Sequence, residues 1–227
     1  MKKILLFMLP IMALSLASCE KNKEVEEWTD DSPIIQFKDP RFLEAILIYD
    51  DFLRDIDRNG DGQISEKEAA VIEDLDVSGN DIRYMDEIRY FTALTYLSCY
   101  YNQLTALDVS KNTALTELWC SDNQQTSLDV SKNTALTKLD CDANQLTSLD
   151  VSNNTALTYL GCSANQLTSL DLSNNRVLEG FYPVDFFNDN IYDACPLKSL
   201  ILYKYHLLNS LSMELLERAY PELEITY

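Results

Sequence analysis

Oxygen-bearing side chains recur at a regular spacing in the stretch DRNGDGQISEKE, from Asp57 to Glu68. Positions 1, 3, 5, 7, 9 and 12 of this stretch are, in order, Asp57, Asn59, Asp61, Gln63 (through its carbonyl), Ser65 and Glu68. Gly62 at position 6 allows a sharp turn, and Ile64 at position 8 can pack in a core. Oxygen donors at this spacing are the ligands that Ca²⁺ prefers, so the sequence predicts one calcium site.

The stretch resembles the calcium loop of an EF-hand. Apolar residues recur at helical spacing on both sides of it, at Phe42, Ile46, Tyr49 and Leu53 before the loop and at Ala69 and Ile72 after it. A frame beginning at Asp55 would place Gly62 where Ile64 should pack, and we reject it. The alternative is a helix–turn–helix cap that has lost its metal. EF-hand sensors usually work in pairs, so we expect this single loop to hold a structural calcium.

The first 18 residues have the parts of a signal peptide: two lysines, an apolar run and small residues. The apolar run, Ile4 to Leu16, is shorter than the roughly 20 residues that a membrane-spanning helix needs. The residues Leu16-Ala17-Ser18-Cys19 resemble the lipobox of bacterial lipoproteins, in which the cysteine is lipidated; an ordinary signal peptide with a chance cysteine is the alternative. We expect export, a lipid anchor on Cys19 as the only membrane contact, and a location on the periplasmic or surface face of the outer membrane.

The chain after residue 18 is strongly acidic. It holds 16 basic and 37 acidic residues, a formal charge of −21. Binding to nucleic acid requires lysine and arginine to neutralise phosphates, so this balance excludes nucleic acid as the expected partner. Residues 20–32 are polar and acidic and are expected to form a flexible tether, which we bound at residues 19–33 with the lipidated cysteine.

Four cysteines recur at one constant interval along the chain, at Cys99, Cys120, Cys141 and Cys162. The segments around them, such as LTELWCSDNQQ, fit the template LxxLxLxxNxL, and segments such as LTSLDVSNNTA fit it again between them. This nested pattern resembles the 21-residue class of bacterial leucine-rich repeats and covers roughly Ile72 to Leu178. Asparagine recurs at the LxxN position, where it can bond neighbouring backbone and tolerates a left-handed conformation.

These repeats predict a leucine-rich repeat solenoid of short parallel β-strands in a right-handed coil. An EF-hand-like helical cap is expected over 34–74, the repeats over 75–178, and a mixed α/β C-terminal cap of degenerate repeats over 179–227. The first coil runs from Leu75 to Leu97, and Phe181 falls on the leucine register. The pattern returns at Leu197, Leu200, Leu202 and Leu207 and in the final PELEITY, with helical spacing in SMELLERAY between them.

Nothing in the sequence assembles a catalytic site. His206 is the only histidine, and five glycines are too scattered for a phosphate loop. The four repeated cysteines are expected in the core as small apolar residues rather than in disulfides, and Cys195 stays unassigned. Aspartates at repeat spacing (Asp108, Asp129, Asp150 and Asp171) are interpreted as structural. We therefore expect no enzyme; a weak carboxylate-based hydrolase is a distant alternative.

The exposed positions of the LDVS half-repeat are nearly constant, whereas those of the cysteine half-repeat vary. The varied positions include Tyr96, Tyr100, Glu117, Trp119, Lys138, Asp140 and Tyr159. Exposed tyrosine and tryptophan suit protein interfaces because they offer large contact areas with few torsions to freeze. We predict that these residues bind a protein partner. Two alternatives remain open, namely drift at unconstrained sites and a carbohydrate ligand stacking on Tyr96, Trp119 and Tyr159.

The lipobox, the EF-hand-like loop and the nested repeats together resemble a group of bacterial surface or periplasmic leucine-rich repeat lipoproteins. Binding of proteins or host surfaces is what this resemblance implies. Because exported proteins commonly meet high and steady calcium, the loop is interpreted as a staple that closes one end of the solenoid rather than as a switch.

Overall fold

The computed structural model describes residues 30–53, 56–182, 196–202 and 222–226. The predictions for the signal peptide, Cys19 and most of the tether lie outside these residues. So do those for Asp55, Cys195, His206, Leu207 and the SMELLERAY helix.

The N-terminal cap is built on helix α1 (Pro40–Leu53) and the short helix α2 (Glu66–Ala69). As the helical spacing predicted, Phe42 and Ile46 are fully buried and Tyr49 is half-buried. Helix α2 is only four residues long, shorter than the face from Ala69 to Ile72 suggested. The chain turns after Ala70 and enters strand β1, while Ile72 still packs into the core.

Six parallel strands form the main sheet, in the order β1, β2, β3, β4, β5, β7. They are β1 (Asp74–Asp76), β2 (Tyr96–Ser98), β3 (Glu117–Trp119), β4 (Lys138–Asp140), β5 (Tyr159–Gly161) and β7 (Gly180–Tyr182). Their central residues stand in register, at Leu75, Leu97, Leu118, Leu139, Leu160 and Phe181. The leucines are fully buried, so the predicted repeat register, including Phe181, is confirmed.

The LDVS half-repeat forms a strand, within the described residues, only at β6 (Ser169–Leu172). In the earlier coils Val109, Val130 and Val151 are fully buried, yet an aspartate two residues before each serine bends the chain. The carboxylate of Asp108, for example, accepts a hydrogen bond from the backbone N–H of Ser110 at 2.9 Å. In β6 Asp171 accepts the same bond from the N–H of Ser173, so this local turn does not decide which coil forms a strand. Strand β6 pairs in parallel with β8 (Ser199–Leu202), which pairs with β9 (Glu224–Thr226).

A column of buried asparagines joins successive coils. In Asn123, Oδ1 accepts from the backbone N–H of Leu104, and Nδ2 donates to the carbonyls of Cys99 and Cys120. Asn102, Asn144 and Asn165 make the equivalent bonds. The predicted role in bonding neighbouring backbone is therefore confirmed.

The left-handed backbone lies one residue before each asparagine rather than on it. Positive φ angles occur at Gly79 (70°), Tyr101 (55°), Asp122 (51°), Ala143 (49°) and Ala164 (48°). The residue before the asparagine makes the reversal, at a steric cost wherever it is not glycine.

Candidate functional site

The outward-facing positions of strands β1 to β5 form two parallel rows on one face of the sheet, of which Ser98 and Gly161 are buried. The first row is Asp74, Tyr96, Glu117, Lys138 and Tyr159, and the second is Asp76, Ser98, Trp119, Asp140 and Gly161. We call these ten residues the variable strip. Six of the seven residues predicted to bind a partner belong to it. The seventh, Tyr100, follows β2 and is exposed, beyond the strand itself.

Trp119 and Tyr159 meet across the strand that separates them. Trp119 belongs to the second row on β3 and Tyr159 to the first row on β5, yet their ring centroids are 5.6 Å apart with the planes inclined at 37°. Both side chains are half-buried. The two rings thus form one tilted aromatic surface that reaches over β4.

An ion pair lies beside the aromatic surface. The Nζ of Lys138 is 2.9 Å from Oε1 of Glu117, and both side chains are partly exposed. The other carboxylate oxygen of Glu117 accepts a hydrogen bond from the indole Nε1 of Trp119 at 3.3 Å. Glu117 therefore orients both the lysine and the tryptophan.

Asp140, on β4, lies next to Trp119 in the second row of the strip. Its Oδ1 accepts from the backbone N–H of Asp142 and would lie 3.0 Å from a Cβ placed on Gly161. Burial raises the pKa of Asp140, and the nearby charge of Asp122 raises it further, against the hydrogen bond from Asp142. Glycine at 161 is thus what leaves room for the Asp140 carboxylate on that side.

The strip also contains Asp74 and Asp76, which sequence analysis did not single out. Asp74 Oδ1 accepts from the hydroxyl of Tyr49 at 2.6 Å, and Asp76 Oδ1 accepts from the backbone N–H of Ser78. Aligning Leu75 with Leu97 was the signal that could have placed them in the two rows. The sequence aligned that coil, but it contains no repeated cysteine, and the varied exposed positions were compared only among the cysteine half-repeats.

The predicted calcium loop is a compact turn closed by its own carboxylates. The Asp57 carboxylate accepts from the backbone N–H groups of Gly60, Asp61 and Gly62. Gly60 and Gly62 have φ angles of 71° and 75°, which only glycine adopts without cost. Ile64 is fully buried, as position 8 of the pattern requires.

Glu68 closes the other end of the loop and is fully buried. Its Oε1 accepts from the backbone N–H of Arg58 and its Oε2 from that of Ser65, both at 2.9 Å. The Ser65 hydroxyl in turn accepts from the Glu68 N–H, forming a capping box at the start of α2. That hydroxyl also forms a hydrogen bond with the carboxylate of Asp30, just ahead of the cap.

The residues of the loop fit calcium in their chemistry, since every predicted ligand supplies oxygen: Asp57, Asn59, Asp61, Gln63, Ser65 and Glu68. In the structure, however, several of these oxygens accept hydrogen bonds from backbone N–H groups of the loop itself. Asp61 Oδ1 accepts from the Gln63 N–H, and Asn59 Oδ1 from the Asp61 N–H. Across the part of the chain that the structure describes, no three histidine, cysteine, aspartate or glutamate side chains converge as metal ligands.

A short extended segment pairs with the loop from the N-terminal side. The Ile35 N–H donates to the Ile64 carbonyl at 2.8 Å, and the Glu66 N–H to the Pro33 carbonyl at 2.9 Å. Ile34 and Ser65 form an antiparallel bridge. The chain just before α1 thus satisfies the backbone of the single loop.

The four repeated cysteines are fully buried thiols rather than disulfides, as predicted: Cys99, Cys120, Cys141 and Cys162. Burial raises the pKa of Cys99 to about 12, with a smaller contribution from the charge of Asp76. A thiol that holds its proton so firmly is a poor nucleophile at neutral pH. These cysteines therefore serve the core.

No helix among the described residues is both long and apolar enough to cross a membrane.

Residues 166–188 match the Leucine Rich Repeat family. The solenoid of parallel strands is consistent with a leucine-rich repeat. The chain is also similar to the functional domain of InlJ from Listeria monocytogenes, which includes a cysteine ladder, at 37% identity and a TM-score of 0.53. This similarity covers 67% of the chain and 36% of that domain, so the chain spans about a third of the InlJ structure.

An internalin, InlF from Listeria monocytogenes strain 4b F2365, has the same leucine-rich repeat fold. The TM-score is 0.57 at 21% identity, over 84% of this chain and 56% of InlF. At that identity the likeness concerns the fold alone. No curated protein sequence matches the chain.

Proposed function

We propose that this protein is a non-catalytic recognition module that binds a protein partner through the variable strip. The observation that carries the proposal is the contact between Trp119 and Tyr159 at 5.6 Å across β4. Preformed aromatic surfaces bind at low entropic cost because their side chains are already held in place. The leucine-rich repeat fold supports the proposal, since it presents one sheet face to a partner.

The contrast between the two half-repeats gives further support. Asp108, Asp129 and Asp150 are exposed and each accepts a hydrogen bond from the serine two residues on, which accounts for their repetition. Within the variable strip Asp76 and Asp140 accept the same local bond, whereas the other positions differ in residue type from coil to coil. Its differences from coil to coil are therefore available for recognition.

We place the protein outside the cytoplasm, held to the bacterial outer membrane by a lipid on Cys19, on either the periplasmic or the surface face. The LASC sequence and the signal-like N-terminus support this location. One structural calcium at the Asp57–Glu68 loop would stabilise the cap. The oxygen-only donor set and the turn at Gly62 support that assignment. When bound, the ion would neutralise loop carboxylates that now face backbone amides.

The binding test uses the full-length chain and its triple variant Tyr96→Ala, Trp119→Ala, Tyr159→Ala. Cross-linking followed by mass spectrometry identifies partners of the unaltered chain, and each is then tested by biolayer interferometry. We expect the triple variant to lose binding by at least about tenfold, since each truncated aromatic hot spot costs about 1–2 kcal/mol.

The matched control is Asp108→Ala, Asp129→Ala, Asp150→Ala, on the constant positions. Equal losses in the two triple variants, or full binding by the aromatic variant, would overturn the proposal. A glycan array is run in parallel. If the strip bound glycans and no protein partner were found, a carbohydrate-binding function would replace the protein-binding one.

A further inference from the structure

The variable strip carries an excess of negative charge, which among the described residues is only partly balanced, by Lys138. It holds four acidic residues and one basic residue, Lys138, which is already paired with Glu117. Asp74, Asp76 and Asp140 form no ion pair with any described residue. Their recorded hydrogen-bond donors are all neutral, the Tyr49 hydroxyl and the amides of Ser78 and Asp142. A ligand with positively charged groups could form ion pairs with these three carboxylates.

The three carboxylates without an ion pair lie in two groups, and the sheet fixes the distance between the groups. Asp76 and Asp140 occupy the same row, on β1 and β4, with the strands β2 and β3 between them. Neighbouring strands lie about 4.8 Å apart, so three steps across the sheet separate the two carboxylates by about 14 Å. Asp74 lies beside Asp76 at the first group, two residues away on the same strand.

The group at Asp140 also has an aromatic wall. Trp119 stands next to Asp140 in the same row, and its ring is held against Tyr159. On the other side, the carboxylates of Asp140 and Asp142 occupy the space over Gly161, 3.0 and 3.1 Å from where a Cβ would stand. A guanidinium or ammonium placed there would meet a carboxylate and the face of an aromatic ring together. Burial of Asp140 makes its ionised form costly, and such a cation would offset that cost.

We propose that the variable strip binds an extended, basic peptide segment of its partner, with lysine or arginine at positions i and i+4. One cation lies at Asp140 against Trp119, and the other at Asp74 and Asp76. This inference rests on the proposed function and adds the class of partner to it. The acidic character of the whole chain, −19 in formal charge, favours approach of such a segment.

The distance between the two groups of carboxylates favours a bound peptide in an extended conformation. In an extended strand four residues span about 13–14 Å, and side chains i and i+4 point to the same side. In an α-helix the same distance corresponds to about nine or ten residues, which places the two side chains on different faces. Arginines at i and i+3 of a strand point to opposite sides, so only one of them could reach the strip.

The test measures binding of fluorescein-labelled synthetic peptides to the full-length chain by fluorescence anisotropy. The probe is a nine-residue peptide of threonine and valine with arginine at i and i+4. Comparison peptides carry arginine at i and i+3, or glutamate at i and i+4. We expect the i, i+4 arginine peptide to bind best, the glutamate peptide not to bind, and affinity to fall as salt rises.

Protein variants locate the peptide on the strip. Asp140→Asn and Asp76→Asn are each expected to weaken the i, i+4 arginine peptide, by up to about fivefold, the upper range for a partly exposed ion pair. The matched control Asp129→Asn, on a constant position, should leave affinity unchanged. In a Trp28→Phe background the remaining tryptophan is Trp119, and its emission should change on binding. Thermal melts of each variant check folding.

Absence of saturable binding, or equal affinity of the two arginine spacings, overturns the inference. So does an Asp129→Asn effect as large as that of Asp140→Asn. If a natural protein partner needs Trp119 but is insensitive to salt and to Asp76→Asn and Asp140→Asn, the proposed function stands and this inference fails. If no partner needs the strip, both fail.

Discussion

The carboxylate of Asp39, in the cap, accepts a hydrogen bond of 2.6 Å from the backbone N–H of Arg83, in the first coil. The same oxygen lies 3.3 Å from the N–H of Tyr84, and the other oxygen accepts from the N–H of Arg41 at the start of α1. One buried side chain thus starts the helix and fixes it to the solenoid. Salt bridges from Lys38 to Asp86 and from Arg41 to Asp81 cross the same boundary but are exposed.

We expect Asp39→Ala to destabilise the protein by about 1–3 kcal/mol, because it removes the helix-capping bond from Arg41 and the amide contacts of Arg83 and Tyr84 together. Urea unfolding of the full chain measures the loss. The matched control is Asp31→Ala, an exposed aspartate just outside the cap, which should change stability by less than about 0.5 kcal/mol. Equal effects of the two substitutions would contradict the assigned role of Asp39.

The contribution of Asp39 should depend on pH. Burial alone would raise its pKa, but the amide donors of Arg83, Arg41 and Tyr84 outweigh burial and lower the pKa below 3.8. A folded-state pKa below the unfolded one gives stability that is present above the unfolded pKa and lost as pH falls through the folded one. The stability difference between the unaltered chain and Asp39→Asn should therefore be constant from pH 5 to 7 and shrink below about pH 4.

Calcium is expected to raise the melting temperature, and EDTA to lower it. With free calcium a hundredfold above its dissociation constant, linkage gives about 2.7 kcal/mol, or about 5–10 °C for a chain of this size. Asp57→Ala combined with Glu68→Ala should abolish the difference, whereas Asp129→Ala should preserve it. Identical melting of the unaltered chain with calcium and with EDTA would show that the loop holds no structural metal.

Gln125 should be a weak point of the core. It stands where the neighbouring coils have Leu104, Leu146 and Leu167, it is 1% exposed, and no described group meets either of its side-chain polar atoms with hydrogen-bond geometry. The neighbouring Cys120 thiol offers it only a weak interaction. An unpaired buried amide costs about 1–3 kcal/mol. We expect Gln125→Leu to stabilise the protein by about that amount in urea unfolding.

The reverse change at the same position of the next coil, Leu146→Gln, provides the comparison. It should destabilise the protein, because it removes a fully buried leucine and adds an unpaired amide. Destabilisation by Gln125→Leu would mean that the amide has a partner, such as a buried water, that the leucine cannot replace.

At the left-handed position before each asparagine, an alanine-to-glycine change should raise stability, whereas the same change elsewhere should lower it. Ala143, with φ of 49°, bears a steric cost of about 1–2 kcal/mol that glycine would remove, against about 0.5–1 kcal/mol of extra chain entropy. Ala143→Gly should therefore stabilise the protein by up to about 1 kcal/mol. Ala135, which is exposed and does not have a positive φ, should lose stability when changed to glycine. If both variants lost stability, Ala143 would not be under steric strain.

The sequence predicted the sheet because one rule decides it. The inward leucines recur at a nearly constant interval, and a parallel solenoid brings equal positions into register, as Leu118 and Leu139 show. After residue 178 Phe181 keeps the register of the main sheet, whereas β8 and β9 continue the sheet of β6.

Contacts between unlike positions could not be read from the repeat. Trp119 and Tyr159 differ in row and are two coils apart, so a comparison of equivalent positions never pairs them. Asp39 acts on Arg83, far along the chain, through a junction that has no counterpart in the coils. Gln125 was visible as a departure from leucine, but only packing shows that its amide lacks a partner with hydrogen-bond geometry.

The pairing of Ile35 with Ile64 also decides where mechanical load enters the fold. A pull on the chain from the N-terminal side of Asp30 reaches the backbone bonds between residues 33–35 and 64–66 before it reaches any coil. The Asp57–Glu68 loop and the Asp39 junction lie between that point and the sheet. Tension would therefore open the cap first, while the face carrying Trp119 and Tyr159 keeps its shape.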